Sequence, residues 1–113
     1  MNKYFIAGFI AGEGSFGFYK IKIKPNSYSI YFTIELHIRD LDILKKIKSE
    51  LRCGNITNNY KRPKIVRFQV GGKKDIRNKV IPFMDKYLID SYKLIQYKAW
   101  REKVINRLKY LST

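Results

Sequence analysis

Cysteine is almost missing from this chain of 113 residues, in which Cys53 stands alone. One cysteine excludes an internal disulfide and fits a reducing compartment. Long hydrophobic runs are missing too, because the longest stretch of apolar residues and glycine, residues 5–12, is far shorter than the roughly 20 residues of a membrane-spanning helix. The sequence therefore predicts neither a disulfide-stabilised secreted domain nor a membrane partner.

Acidic residues are also scarce. Asp and Glu number 9 against 24 Lys and Arg, which leaves a net charge of +15. A charge of this size exceeds what solubility requires and repels itself, so it predicts a polyanionic partner. Apolar residues make up 45% of the chain, which excludes a disordered protein and favours a single domain over residues 1–113.

The spacing of apolar residues predicts an α+β fold in which helices cover one face of an antiparallel sheet. Asn2 is expected to cap the first helix, and Pro82 to break or kink a later one. The predicted order is helix, hairpin, helix, hairpin, helices, with these bounds: Asn2–Gly12, Ser15–Lys24, Ser27–Leu36, Asp40–Arg52, Asn55–Asn58, Ile65–Val70, Lys73–Tyr87 and Ser91–Leu111.

The predicted sheet has one apolar and one polar side. Ile21 and Ile23 are out of phase with Phe16 and Phe18, so a bulge near Tyr19 is expected to keep all four on the core side. A solvated surface is the ordinary alternative for the polar side, but its basic, amide-rich character suits the major groove of DNA. Its predicted DNA-binding members are Ser15, Tyr19, Lys20, Lys22, Lys24, Ser27, Ser29, Tyr31, Thr33, Asn55, Thr57, Arg67 and Gln69.

The most informative segment is FIAGFIAGEGSF, residues 5–16. Ala7, Gly8, Ala11 and Gly12 are small residues at four-residue spacing, which leaves a helix stripe with little side-chain bulk. Such a stripe packs either on the protein's own sheet or against a second copy of the helix as a dimer interface. Both alternatives are open on the spacing alone.

Glu13 favours the second alternative. A carboxylate at the C-terminal end of a helix meets the negative end of the helix dipole, so it is unfavourable without a cation. Two helices packed side by side would bring two copies of Glu13 together, and these would repel unless a hard cation such as Mg²⁺ lay between them. Acids holding a divalent metal beside a basic surface are typical of a nuclease.

Residues 6–14, IAGFIAGEG, resemble the LAGLIDADG motif of homing endonucleases, and the following Ser15 and Phe16 are also similar. The resemblance implies an αββαββα fold with a saddle-shaped sheet on duplex DNA and Mg²⁺ or another divalent cation at Glu13 beside Gly12. A single motif implies a homodimer that hydrolyses a phosphodiester in each strand of a long, near-palindromic site.

Three positions depart from the family pattern or match it in part. Ala11 replaces an Asp of the motif that is not the metal ligand. Leu36 stands where many members have a Gln, which puts efficient positioning of water in doubt. Lys93 is the best match, within about two residues, for a catalytic basic residue, although the Pro that often precedes it is missing.

Two rival functions are compatible with the sequence. One is a non-cleaving relative of the same fold, such as a maturase that binds intron RNA, which Leu36 favours. The other is a basic assembly protein whose charge faces acidic protein or ribosomal surfaces. The many Ile, Lys, Asn and Tyr residues indicate an AT-rich genome, and hence an intracellular protein of an organelle (mitochondrion or chloroplast), a phage or a bacterium.

Overall fold

A computed structural model describes residues 2–59 and 61–112. The predicted order of elements is confirmed. Among the described residues, none of the helices combines the length and apolar character that a membrane crossing needs. The elements are α1 (Lys3–Glu13), β1 (Gly14–Lys20), β2 (Tyr28–His37), a 3₁₀ turn (Ile38–Asp40), α2 (Leu41–Leu51), β3 (Asn55–Asn59), β4 (Arg62–Val70), α3 (Lys73–Asp75), a π-helical segment (Ile76–Val80), α4 (Ile81–Tyr87) and α5 (Tyr92–Ser112).

The four strands form one antiparallel sheet in the order β1-β2-β4-β3. The helices cover one face of it, and the core lies between them and the sheet. Three helices each bury a side chain almost completely: Ile10 of α1, Leu44 of α2 and Tyr97 of α5 are at most 1% exposed. Within the described part of the chain the opposite face of the sheet carries no helix, as predicted from the strand pattern.

Helix α1 starts where the sequence predicts. The Asn2 side chain accepts hydrogen bonds from the backbone N–H groups of Tyr4 at 2.7 Å and Phe5 at 3.1 Å. These groups have no partner inside the helix, so the cap stabilises its first turn.

The first hairpin differs from the prediction. Strand β1 ends at Lys20 and pairs with β2 without a register shift, so the expected bulge near Tyr19 and Lys20 is wrong. Residues 21–27 form a loop that is closed by a hydrogen bond from Ile21 N–H to Ser27 O at 2.8 Å. Pro25 has no N–H to donate and Asn26 has φ of 63°, so neither can continue the ladder.

The shorter strand changes the place of three residues. Ile23 is 90% exposed rather than part of the core. Lys22 and Lys24 lie in the loop beyond the end of the sheet, not on its polar face. The loop forms because Asn26 and Pro25 set the turn geometry. Burial of Ile23 would favour longer strands, but Ile23 is exposed, so nothing opposes the turn.

Pro82 marks an irregularity in the helix, as predicted. It lies at the start of α4, directly after the π-helical segment Ile76–Val80. Proline lacks an N–H, and its ring crowds the carbonyl of the residue four positions earlier, here Asn78. The wider π turn makes room for the ring, so the helical path continues to Tyr87 without a break.

Helix α5 covers the free edge of β1 by hydrogen bonds as well as by packing. The Trp100 indole Nε1–H donates to Gly17 O at 2.8 Å, and the Lys93 ammonium donates to Gly14 O at 2.6 Å. The Trp100 ring also lies 4.9 Å from the Phe16 ring, centroid to centroid. These bonds attach α5 to the backbone of β1, an edge strand of the sheet, at two points.

Asp85 connects α4 to α5. Its carboxylate accepts from the Tyr97 hydroxyl at 2.6 Å and from Arg101 Nε at 2.9 Å. Burial, and then the hydrogen bond to Asp85, raise the pKa of Tyr97 well above its usual range. The phenol therefore stays protonated and keeps donating, which fixes α5 in its place against the sheet.

Replacing Trp100 with Phe tests the bond between α5 and β1. The Phe ring keeps most of the aromatic packing but removes the N–H that donates to Gly17 O, so we expect the free energy of unfolding to fall by about 0.5–1.5 kcal/mol. Urea denaturation measures this change. Tyr92→Phe, at a 75% exposed position of the same helix, is the control and should leave the midpoint unchanged. Equal midpoints for both variants would contradict the role of the indole N–H.

Candidate nucleic-acid interface and metal site

The open face of the sheet carries polar side chains in register across the strands. One row runs through all four strands and consists of Ser15, Thr33, Gln69 and Asn55; the next consists of Glu35, Arg67 and Thr57. The prediction that these positions share one face is confirmed. Hydroxyl, amide and guanidinium groups in such rows are the donors and acceptors that read base edges.

Two tyrosines form an aromatic cluster on the same face. The Tyr31 ring lies directly over Gly17, where an added Cβ atom would overlap it. The Tyr19 ring meets Tyr31 edge to face, with centroids 5.9 Å apart, and Ser29 pairs with Tyr19 across the strands. Gly17 thus provides the space that holds Tyr31 flat on the sheet.

Arg67 is not a free guanidinium. Its Nε donates to Glu35 Oε1 at 2.8 Å, and its second terminal nitrogen donates to the same oxygen. Both side chains remain partly exposed, 49% for Arg67 and 39% for Glu35. The sequence places Arg67 and Glu35 on one face but cannot show that they pair, because they lie on different hairpins.

The lysines of the first hairpin flank this surface. Lys20 is exposed at the end of β1, and Lys22 and Lys24 are exposed in the loop that follows, while Ser27 is half-buried there. Three cations at one end of the polar face would lie near the backbone of a bound polyanion rather than over the centre of the sheet.

Glu13 is the last residue of α1 and is exposed. The helix ends tightly because Gly14 N–H donates to Ile10 O, and a Cβ atom at Gly14 would come within 2.8 Å of that oxygen. Lys93, 79 positions later, reaches the same point through its bond to Gly14 O. The structure therefore brings Lys93 to the motif, which the sequence predicts only by resemblance.

The end of α1 fits part of a site for a hard cation. It offers the Glu13 carboxylate and the carbonyl oxygens of the last turn, including that of Gly12, and such helix carbonyls lack intrahelical donors. Oxygen ligands are those that Mg²⁺ prefers. Among the residues that the structure describes, no group of three His, Cys, Asp or Glu side chains could hold a metal, so Glu13 is without a further acidic ligand there.

A groove of about 430 Å³ runs from this point along the edge of β1. Ser15, Lys93, Gln96 and Lys103 supply its polar lining. Gln96 was not predicted from the sequence, although its position three residues after Lys93 places it on the same helix face. Leu36, at the position of the family Gln, is instead buried in the core with 8% exposed.

The four small residues of the motif separate onto two sides of α1. Ala7 lies in the core with 2% exposed, so it does not reach a dimer interface. Gly8 and Gly12 are exposed and Ala11 is half-buried. A Cβ atom at Gly8 or Gly12 would meet nothing within 4 Å, so the two glycines leave a shallow open channel on the outer side of the helix.

This channel is bordered by aromatic side chains. Phe5 is 55% exposed and Tyr4 is 58% exposed, while Phe9 is half-buried. Phe5, Gly8, Phe9 and Gly12 follow the i, i+3, i+4, i+7 spacing of one helix face. The outer side of α1 is therefore apolar, and Glu13 lies at its end.

His37 and Cys53 lie in surroundings that indicate structural roles. The His37 Nδ1 accepts from Arg39 N–H at 3.1 Å and so caps the 3₁₀ turn. Burial raises the pKa of the Cys53 thiol, which lowers its reactivity. Neither side chain lines the groove beside Lys93.

Comparison with known proteins gives a family match. The family model described as LAGLIDADG endonuclease matches residues 6–104. "Probable intron-encoded endonuclease 2" of Neurospora crassa is 33% identical over 100 residues, which are 88% of this chain and 21% of that protein. "Uncharacterized mitochondrial protein RF1" of Saccharomyces cerevisiae is 28% identical over 109 residues, 95% of this chain and 22% of that protein.

Solved structures share the fold. The LAGLIDADG homing endonuclease I-GzeII in complex with its DNA target has a TM-score of 0.88 at 29% identity, over 98% of this chain and 38% of that one. I-SmaMI bound to uncleaved DNA target in the presence of calcium ions has a TM-score of 0.89 at 27% identity, over 96% and 38%. The chain thus spans about a fifth of the curated relatives and well under half of the solved ones.

Proposed function

The chain belongs to the LAGLIDADG endonuclease family, and on that basis we propose that it is a site-specific endonuclease that hydrolyses phosphodiester bonds of duplex DNA with a divalent cation. The observation that carries the proposal is the meeting of Glu13 and Lys93 at Gly14, at the edge of the polar sheet face. An acid that suits a metal and a cation that suits a phosphate lie beside a surface that suits base edges.

The polar face is the proposed DNA-binding surface. The major groove is about 12 Å wide and admits a two-stranded β-ribbon. The rows of Ser15, Thr33, Gln69 and Asn55 would face base edges, and the flanking lysines would face phosphates. Solved relatives bound to DNA targets support this assignment.

The half site at Glu13 needs a second acid, and the apolar outer side of α1 needs a cover. A second copy of α1 packed on Gly8 and Gly12 would meet both needs, since the two Glu13 carboxylates would then end side by side. We therefore assign a homodimer with a near-palindromic target. In a longer chain, a second motif helix would occupy the same place.

The residues at the site have different proposed roles. Glu13 and Gly12 would hold the cation, which when bound activates water and stabilises the leaving oxygen. Lys93 uses one of its three N–H donors on Gly14 O, so two remain to bind the scissile phosphate and offset its charge in the transition state. The bond to Gly14 also fixes the ammonium relative to Glu13.

A non-cleaving, RNA-binding maturase is the second candidate function. Two observations favour it: the buried Leu36 offers no amide to position water, and α2 carries the exposed lysines Lys45, Lys46 and Lys48 away from the polar face. A protein that binds structured intron RNA tightly but cuts no duplex with Mg²⁺ would fit this function. The many Ile, Lys, Asn and Tyr residues, which indicate an AT-rich genome, and a mitochondrial relative support an organellar origin for an endonuclease and for a maturase alike.

Replacing Gly8 with Leu tests the dimer. The added side chain would hold two α1 helices apart. A Cβ atom at Gly8 meets nothing within 4 Å in the subunit, so folding should be retained while the dimer dissociation constant rises at least about 100-fold. Sedimentation equilibrium gives the mass, and circular dichroism reports the fold. Ser49→Leu, at an exposed position of α2, is the control. A dimer that persists at the same concentration would contradict this interface.

Replacing Glu13 with Gln tests the metal ligand. Without the negative charge the cation is lost, so cleavage of a duplex that the parent cuts should fall at least about 100-fold. Binding should stay equal or tighten, because a repulsion with phosphate is removed. Glu102→Gln, an equal charge change at an exposed site on α5, controls for net charge and should cut normally. Normal cleavage by the Glu13 variant would refute the assignment.

Two triple variants test which lysines bind DNA phosphates. Changing Lys20, Lys22 and Lys24 to Gln should lower the slope of log binding constant against log salt by up to about 0.9 for each phosphate that is no longer neutralised. Changing Lys45, Lys46 and Lys48 removes the same charge from α2 and should leave the slope nearly unchanged. Fluorescence anisotropy over a salt series measures both. Equal slopes for the two triple variants would contradict a specific role for the hairpin lysines, because the salt dependence would then follow net charge alone.

A further inference from the structure

Glu35 is an unusual member of the polar face. Of the 9 acidic residues in the chain, it is the one that lies in the described strands, and it sits on β2, an inner strand of the sheet. A carboxylate that approached a phosphate would be repelled, so on a DNA-binding face Glu35 is tolerated only opposite groups that donate hydrogen bonds. In the major groove, the base edges supply such donors.

The contact between Glu35 and Arg67 leaves both side chains able to bind more. Glu35 uses Oε1 for both bonds from Arg67, so Oε2 still has its lone pairs. Arg67 donates two of the five N–H groups of a guanidinium, which leaves three. The two residues are direct cross-strand partners, and adjacent strands lie about 4.8 Å apart, a spacing that suits two adjoining groups on one base pair.

We propose that Glu35 and Arg67 together read a single guanine–cytosine base pair, a specificity that rests on the DNA-binding function proposed above. The remaining N–H groups of Arg67 donate to guanine N7 and O6, and Glu35 Oε2 accepts from the cytosine N4 amino group. Donor and acceptor stand side by side in the protein, as acceptor and donor do on the base pair.

The same arrangement rejects an adenine–thymine pair at both of its ends. The adenine N6 amino group would face the Arg67 donors, and the thymine O4 would face the Glu35 carboxylate. The mutual contact strengthens this selectivity because it holds both side chains in place before DNA binds, which reduces the entropy lost on binding. An exposed ion pair by itself contributes little to folding stability, so stability is a weak reason for its presence.

The register indicates where in the target this base pair lies. Glu35 follows Ile34, whose strand partner is Gly14, the residue after Glu13. The row of Glu35, Arg67 and Thr57 therefore lies toward the Glu13 end of the sheet. The base pair that it reads is one of those nearest to the bond that is cut.

Selection from a pool of random-sequence duplexes tests the inference without knowledge of the natural target. The full chain selects duplexes in the presence of Ca²⁺, and the bound fraction is sequenced. For the parent we expect guanine–cytosine to exceed adenine–thymine by about tenfold or more at one position of each half-site. Glu35→Gln should reduce that preference to about threefold or less, because an amide both donates and accepts.

Two further variants separate recognition from charge. Arg67→Lys keeps the charge but cannot donate in a bidentate manner, so it should also lose the preference at the same position. Glu50→Gln removes an equal charge from another ion pair, with Lys3 at 3.1 Å, and should keep the preference. Thermal melting of the Glu35, Arg67 and Glu50 variants checks that the fold is intact.

The outcomes distinguish this inference from the proposed function. A parent that selects a site whose preferences survive in both the Glu35 and Arg67 variants would overturn the base-pair reading and leave the endonuclease function standing. A parent that selects a site without a guanine–cytosine position sensitive to either residue would do the same. A parent that binds no duplex, with or without Ca²⁺, would refute the proposed function and this reading with it.

Discussion

The contact between α5 and the edge of β1 is the interaction on which the candidate site depends. Lys93 and Trp100 donate to Gly14 O and Gly17 O, so one helix binds two carbonyls of the strand that leaves the motif helix. The first bond holds an ammonium beside Glu13. The second fixes the strand at Gly17, over which the Tyr31 ring lies. The placement of α5 thus sets both the position of Lys93 at the end of the motif and the shape of the polar face, and residues far apart in the sequence become parts of one site.

The exposed end of α1 imposes a second constraint, which concerns the partner. An acid at the negative end of a helix is unfavourable alone, and the helix that carries it has an open apolar side along Gly8 and Gly12. Both features are incomplete in one copy and would be completed by the same event, the packing of a second such helix. In the proposed dimer, one short segment would serve assembly and metal binding together: the small residues would let the helices approach, and the approach would bring the acids together.

Parts of this arrangement could be predicted from the sequence and parts could not. The cap at Asn2, the alternation along β2 and the irregularity at Pro82 depend on neighbouring residues, so local pattern predicted them. The length of β1 did not follow from the pattern, since the phase of Ile21 and Ile23 indicated a bulge, whereas Pro25 and Asn26 end the pairing at Lys20. The side of α1 that faces outward was ambiguous because Phe5, Phe9, Ile6 and Ile10 make the helix apolar all round. The bonds of Lys93 and of Arg67 join distant segments, and spacing carries no signal for them.

Charge and specificity are separated in this molecule. The excess of cations attracts any polyanion over distances of about a Debye length, roughly 8–10 Å at ordinary salt, and this attraction carries no information about sequence. Discrimination has to come from groups that oppose the wrong base as well as favour the right one. A basic side chain that contacts only phosphate does not do so, because the phosphate is the same at every sequence. Placing Glu35 against Arg67 weakens the general attraction at that point and restricts the guanidinium to one direction. Glu35, the one acid in the described strands, is thus better understood as a source of selectivity than as a defect in affinity.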